Sequence, residues 1–182
     1  GDDGLLGHFY ACRGHSEFMA GLARQAAETL TEAAALCERA GNFQGAGHAY
    51  AHLQWAQLQK GEYEDVLRLE AAALGSLARA PDVRLLVYSM GASAWACAML
   101  GRWDLALEKA KTSLRESERA RDASLMSYTY AFSFANVYRH QGAIEAAIDS
   151  GRRAVEIAQT PAERQWTQVF HAWALAARDP VM

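Results

Sequence analysis

Histidine is the residue type in this chain best suited to chemistry, and two of the six histidines are spaced for it. His48 and His52 are four positions apart, so both imidazoles lie on one face of a helix, where such a pair can chelate a metal ion. A convincing metal site needs a further ligand, and no carboxylate or cysteine accompanies the pair in register. Surface or groove histidines are the commoner use of this pattern. We therefore predict no metal site and no cofactor.

Catalytic motifs are missing from the sequence. It has no GxSxG, no HExxH, no glycine-rich phosphate loop and no defensible cysteine–histidine pair. The three cysteines, Cys12, Cys37 and Cys97, have no CxxC spacing, which is typical of reduced thiols in a cytoplasmic protein. We therefore expect that this segment is not an enzyme and has no catalytic or cofactor-binding residues. We also expect it to be cytoplasmic.

Charge and hydropathy exclude two kinds of partner. The net charge of −3 and the pI near 6.1 favour neither nucleic acid nor an anionic membrane surface. The uncharged run from Leu85 to Gly101 is rich in alanine, serine and glycine and stays in register with a sequence repeat, so we predict no membrane helix. The expected partners are therefore a protein, a peptide or a small effector.

The elements that must position the histidines come from that repeat. The stretches GLARQAA, GEYEDVL, GRWDLAL and GAIEAAI begin with a glycine at spacings of 40, 40 and 41 residues. A large apolar residue follows two places on in three copies, and a small or branched residue follows five places on in all four. The glycine allows a tight turn between antiparallel helices, and the small residue allows their close approach. We predict a structural turn motif at Gly21, Gly61, Tyr63, Gly101, Trp103, Ala106, Gly142 and Ala147.

Helix starts recur on the same period. Asn42, Asp82 and Asp122 are good N-caps, and Thr160 followed by Pro161 and Glu163 forms a capping box. The first helices of the pairs (A helices) are predicted near 4–19, 43–59, 83–99 and 123–140. The second helices (B helices) are predicted near 22–40, 63–79, 103–120 and 144–159, with a ninth helix near 162–177. No segment alternates like a strand, so the fold class is all-α with about nine helices.

The repeat resembles the tetratricopeptide repeat (TPR) family, which is built from helix–turn–helix units with small residues at close contacts. The resemblance implies a right-handed α-solenoid and a single domain over 1–182. Its repeats would span about 1–41, 42–81, 82–121 and 122–160, with a half repeat at 161–182. The common repeat has 34 residues, so this chain is more similar to the long repeats of bacterial LuxR/MalT-type regulators and ATPase–cyclase signalling proteins. We therefore expect a piece of a longer signalling or transcription-regulating protein, whose ATPase or cyclase domain would lie elsewhere.

In that family the A helices line a concave groove. The groove residues lie at fixed distances before the motif glycine. Thirteen residues before it lie His8, His48, Tyr88 and Thr129, and six before it lie His15, Trp55, Trp95 and Asn136. The resemblance implies a groove that binds a peptide or small ligand through His8, His15, His48, Trp55, Tyr88, Trp95, Asn136, Arg139 and His140. The alternative for Trp55 and Trp95 is packing between neighbouring A helices. The lysine–asparagine–arginine clamp of chaperone-binding relatives is not matched.

A second functional hypothesis is structural. The ninth helix has no B partner in the sequence, so Trp166, Phe170 and Trp173 are expected to lack cover. The chain would then be a spacer or self-association element, forming a homodimer through its C-terminal helix.

Overall fold

A computed structural model describes residues 2–178 of the chain, and within them it is helical without a strand. The helices are α1 (Asp2–Met19), α2 (Ala23–Arg39), α3 (Phe43–Lys60), α4 (Tyr63–Arg79), α5 (Val83–Met99), α6 (Trp103–Arg119), α7 (Ala123–Tyr128), α8 (Asn136–Gln141), α9 (Ile144–Ile157) and α10 (Pro161–Arg178). A π-helical segment, Thr129–Ala135, joins α7 to α8 without a break. The all-α helical repeat is confirmed. The predicted half repeat continues to Met182, and its last four residues lie outside this range.

Side-chain caps start the A helices. The carboxylate of Asp82 accepts hydrogen bonds from the amides of Arg84 and Leu85 at 2.9 and 3.1 Å. Asn42 and Asp122 each accept one amide three residues on, at 3.0 Å. These contacts satisfy amides that have no partner inside the helix. The helix starts predicted from the Asn/Asp positions are therefore confirmed.

The capping box at the start of α10 is also present. The hydroxyl of Thr160 accepts from the amide of Glu163 at 3.2 Å, and the Glu163 carboxylate accepts from the amides of Gln159 and Thr160 at 2.7 and 3.2 Å. Thr160 and Glu163 therefore cap the first turn of α10, each accepting the other's backbone amide.

Each motif glycine has a left-handed backbone, with φ between 72° and 82°. That conformation costs glycine nothing sterically, and it lets an A helix end and the chain reverse within two residues. A Cβ built on Gly61 would lie 4.0 Å from the hydroxyl of Tyr63, and one on Gly101 would lie 4.0 Å from the ring of Trp103, so these aromatic residues cover the turn. The motif thus reverses the chain.

Small residues allow the helices of each pair to approach closely. Five residues after the motif glycine, each B helix has a fully buried residue; these are Ala26, Val66, Ala106 and Ala147. The residue twelve places after the glycine is fully buried as well; these are Ala33, Ala73, Ser113 and Ala154. These residues recur every 40 or 41 positions because the two helices of each pair pack closely there.

The π-helical segment explains why the last spacing of the repeat is 41 residues. In the second and third repeats the cap and the motif glycine are 19 positions apart, whereas Asp122 and Gly142 are 20 apart. A π-helical turn holds one residue more than an α-helical turn, so Thr129–Ala135 accommodates the extra residue without ending the helix. The sequence positions before and after this segment therefore follow different registers.

The described residues divide into two compact units, 2–93 and 94–178. The first contains α1 to α4 and most of α5, and its core is formed by alanines and leucines such as Leu30 and Leu53. The core of the second contains Phe170 and Ala154, with the aromatic rings of Trp95, Phe132 and Trp166 packed against them. No helix in residues 2–178 is both long and apolar enough to cross a bilayer.

Candidate functional site

Three histidines of the first unit form a cluster. His15 lies on α1, and His48 and His52 lie on α3, the A helix of the next repeat. One nitrogen of each ring can be chosen so that all three lie within 4.8 Å of one another. The rings of His15 and His52 are stacked, with centroids 3.9 Å apart, and His48 meets both rings edge to face, at 5.8 and 4.6 Å. We call these three residues the histidine cluster.

Glycines on α1 and α3 bring the cluster together. A Cβ on Gly14 would lie 2.5 Å from Cγ of Leu30, and one on Gly45 would lie 2.5 Å from Sγ of Cys37. Both A helices therefore contact α2 more closely than any larger residue would permit. Since α2 packs against α1 and α3, those two helices also contact each other, and their facing histidines meet.

Burial keeps the cluster uncharged at neutral pH. Desolvation, and then the neighbouring His15 and His48, lower the pKa of His52 to about 2. Desolvation, and then His15 and His8, lower the pKa of His48 to about 4, although Asp82 acts in the opposite direction. Desolvation also lowers the pKa of His15. All three imidazoles therefore present nitrogen lone pairs at pH 7.

His52 is buried, at 4% exposure, and its Nδ1 has no hydrogen-bond partner among the described residues. The neighbouring buried Gln54 is different. Its amide donates to the carbonyl of Val66 at 3.0 Å and to Ser93 Oγ at 3.1 Å, and it accepts from Ser89 at 2.6 Å. Gln54 is therefore a satisfied structural residue, whereas His52 has an unused nitrogen.

The other predicted groove residues of the first unit surround the cluster. His8 is exposed, with its ring 6.1 Å from that of His48, and Tyr88 is half-buried, with its ring 6.2 Å from that of His52. Trp55 is buried, and its indole nitrogen donates to the carbonyl of Tyr88 at 3.1 Å. Trp55 thus links α3 to α5 and offers little surface to a ligand.

In the second unit the predicted residues lie in different surroundings. Trp95 is half-buried, with its ring 6.1 Å from that of Phe170. Asn136 is only 1% exposed, and its amide donates to the carbonyl of Phe132. Arg139 and His140 are half-buried neighbours, and the guanidinium donates to Nε2 of the imidazole at 3.0 Å.

Thr129 does not lie on a groove surface. Its prediction as a groove position, from counting thirteen residues back from Gly142, was wrong. It is fully buried, and its hydroxyl is 2.9 Å from that of Ser113. Counted from the N-cap, the residue equivalent to His48 and Tyr88 is Tyr128, which is half-buried and stacked on Phe132. Counting back from the glycine fails here because the π-helical segment lies between them.

Sequence reasoning missed that His15 completes the pair formed by His48 and His52. The prediction of no metal site depended on the absence of a third ligand close in sequence, and the structure brings a third histidine, from the preceding repeat, next to the pair. The available signal was that His15 and His48 are both predicted to line the groove and that His52 lies one helical turn after His48. A second omission is Cys12, whose thiol is exposed and lies 3.8 Å from Nε2 of His8.

A separate depression of about 380 Å³ lies between α2, α3 and α4. It includes Glu38 and Tyr50, whose hydroxyl donates to the Glu38 carboxylate at 2.8 Å. Burial, and then this carboxylate, raise the pKa of Tyr50 to about 12. The depression shares no residue with the histidine cluster, and its one tyrosine stays protonated.

No protein-family model matches the chain, and none of the curated proteins compared with it is significantly similar. The function must therefore be argued from the geometry of the two units.

Proposed function

We propose that the chain is a TPR-like interaction module that binds a peptide segment of a partner protein. The proposed surface belongs to the first unit and is formed by His8, His15, His48 and Tyr88. One observation carries this proposal: rings from three successive A helices lie close together, with neighbouring centroids no more than 6.2 Å apart. The buried ring of His52 lies between those of His48 and Tyr88 and links them.

Such a surface suits a peptide. Imidazole and phenol rings present flat apolar faces, which gain free energy on burial, together with nitrogen and oxygen atoms that orient a peptide backbone. At pH 7 the lowered pKa values of His15 and His48 leave these rings uncharged, so they are desolvated at little electrostatic cost. Trp55 is buried, and its hydrogen bond to the carbonyl of Tyr88 holds α3 against α5. The long-repeat resemblance supports a cytoplasmic bacterial signalling or regulatory context.

A peptide-display selection against the immobilised chain tests the proposal. Selected peptides should bind at least about 10-fold more weakly to His48→Ala and to Tyr88→Ala, because rings at the centre of an interface carry most of its energy. A matched control, His140→Ala, removes a half-buried histidine of the second unit and should leave binding unchanged. Equal binding to wild type, His48→Ala and Tyr88→Ala would exclude this surface.

A second candidate function is self-association through α10. This helix exposes three large apolar residues, Val169 (44%), Trp173 (46%) and Leu175 (36%). Phe170 does not join them: it is 7% exposed and packs on Ala131 and Ala154. The expectation that Phe170 lacks cover was wrong, because α9 and the π-helical segment enclose it. Light scattering over a range of concentrations tests this candidate, and Trp173→Glu should abolish any dimer found.

A further inference from the structure

We propose that His15, His48 and His52 bind one divalent transition-metal ion of the zinc type through their imidazole nitrogens. The proposal concerns the histidine cluster alone and does not depend on peptide binding. The ion would link α1 to α3, the A helices of two successive repeats.

The donor set fits this class of ion. Neutral imidazole is a preferred ligand of Zn²⁺, Ni²⁺ and Cu²⁺, whereas Mg²⁺ and Ca²⁺ require oxygen ligands. Three protein nitrogens also leave the fourth tetrahedral position open for water or an external ligand. His15 and His48 are both half-buried, so this position is accessible from solvent.

The distances require only side-chain adjustment. Around tetrahedral zinc, with bonds of about 2.0–2.1 Å, ligand nitrogens are roughly 3.4 Å apart. The cluster places its nitrogens within 4.8 Å of one another, so no pair needs to approach by more than about 1.4 Å. The stacked ring of His15 must also turn, because the lone pair of an imidazole lies in the ring plane. His15 is half-buried whereas His52 is buried, so we expect His15 to be the ring that turns.

His52 provides the independent observation that points to a ligand. A buried imidazole normally hydrogen-bonds through both nitrogens, and leaving one unpaired costs free energy. Nδ1 of His52 has no partner among residues 2–178. Coordination through Nδ1 would give this atom a partner, and coordination through Nε2 would fix the tautomer and orientation of the ring.

Zinc titration of the full chain by calorimetry, after treatment with a chelator, is the primary test. We expect one Zn²⁺ per chain and no binding of Mg²⁺. His15→Phe keeps a ring against His52 but removes the nitrogens, and His48→Gln removes the second ligand at a half-buried position. Each should weaken zinc binding by at least about 10-fold while circular dichroism shows an unchanged helix content. Having two independent variants protects the test against a folding defect in either one.

The matched control is the double variant Cys12→Ser/His8→Ala. His8 and Cys12 are an exposed pair at i, i+4 beside the cluster and are the obvious competing ligands. This control should bind zinc as wild type does. Bound Co²⁺ should show the visible bands of a tetrahedral nitrogen site without the near-ultraviolet band of a thiolate. A thiolate band, loss of binding in this double variant, wild-type affinity in His15→Phe, or no zinc binding at all would each overturn the proposal.

Discussion

The two units of the chain are built from the same helix pairs but place different rings between their A helices. In the first unit, His15, His48 and His52 meet at centroid distances of 3.9–5.8 Å. In the second, Phe132 contacts the rings of Trp166 and Phe170 at 5.1 and 4.3 Å. The aromatic rings gain stability from burial, whereas the buried imidazole of His52 loses hydration and its Nδ1 has no hydrogen-bond partner among residues 2–178. An unpartnered buried nitrogen costs stability, and that cost favours a ligand-binding role for the cluster over a packing role.

Removing a ring from the second unit should have the largest effect. Phe170→Ala deletes a side chain that is 7% exposed and contacts three other rings, so we expect a loss of about 3–5 kcal/mol in the free energy of unfolding. Urea unfolding followed by circular dichroism measures this loss. Trp173→Ala, on the exposed side of the same helix, should cost less than about 1 kcal/mol. A loss below about 1 kcal/mol for Phe170→Ala would mean that α10 is not held by this cluster.

Acid should destabilise the first unit through its histidines. Their folded pKa values, about 4 for His48 and about 2 for His52, lie below the unfolded value near 6.5, so the unfolded chain binds protons first. Their contribution is therefore complete above about pH 6.5 and is lost as the pH falls towards the folded values. We expect about 2–3 kcal/mol less stability at pH 5 than at pH 7, after discounting half-buried His48 for solvent screening.

Two variants assign this acid sensitivity to the first unit. His52→Leu, which cannot be protonated, should reduce the slope of unfolding free energy against pH between 5 and 7 by about half. Phe132→Leu, a matched change of a ring in the second unit, should retain the wild-type slope. If His52→Leu keeps the full slope, the buried imidazole is not what couples folding to pH.

These contrasts also show how far the sequence determines the structure. The period of glycines and caps predicts every helix pair, because turn and cap chemistry is local. The 41-residue spacing before Gly142 indicates one extra residue in the last repeat. It does not indicate which helical turn accommodates that residue, so the position of the π-helical segment could not be predicted. His15 and His48 are both predicted to line the groove. Their contact with His52 depends on how closely α1 and α3 approach α2, a tertiary property set by Gly14 and Gly45.

Helix contact in the second unit should be sensitive to a single methyl group. A Cβ on Gly151 would lie 2.7 Å from Cα of His171, so Gly151→Ala must push α9 and α10 apart, at a cost of about 1–3 kcal/mol. Gly75 of the first unit is the matched helical glycine, with nothing within 4 Å of the added atom. Gly75→Ala should therefore stabilise the chain by about 0.5–1 kcal/mol. Thermal unfolding of both variants measures the difference, and equal effects would mean that α9 and α10 are not in close contact.

The smallest expected difference concerns a cation–π pair in each unit. The Arg79 guanidinium carbon lies 3.5 Å from the centroid of the Phe43 ring, and that of Arg139 lies 5.6 Å from the Trp173 ring. The attraction weakens with distance, so a double-mutant cycle should give about 0.5–1 kcal/mol for Arg79→Met/Phe43→Leu and less for Arg139→Met/Trp173→Leu. Arg139 is half-buried, and desolvation strengthens such pairs. A larger coupling for Arg139 and Trp173 would therefore show that the partial burial of Arg139 outweighs the 2.1 Å difference in distance between the two pairs.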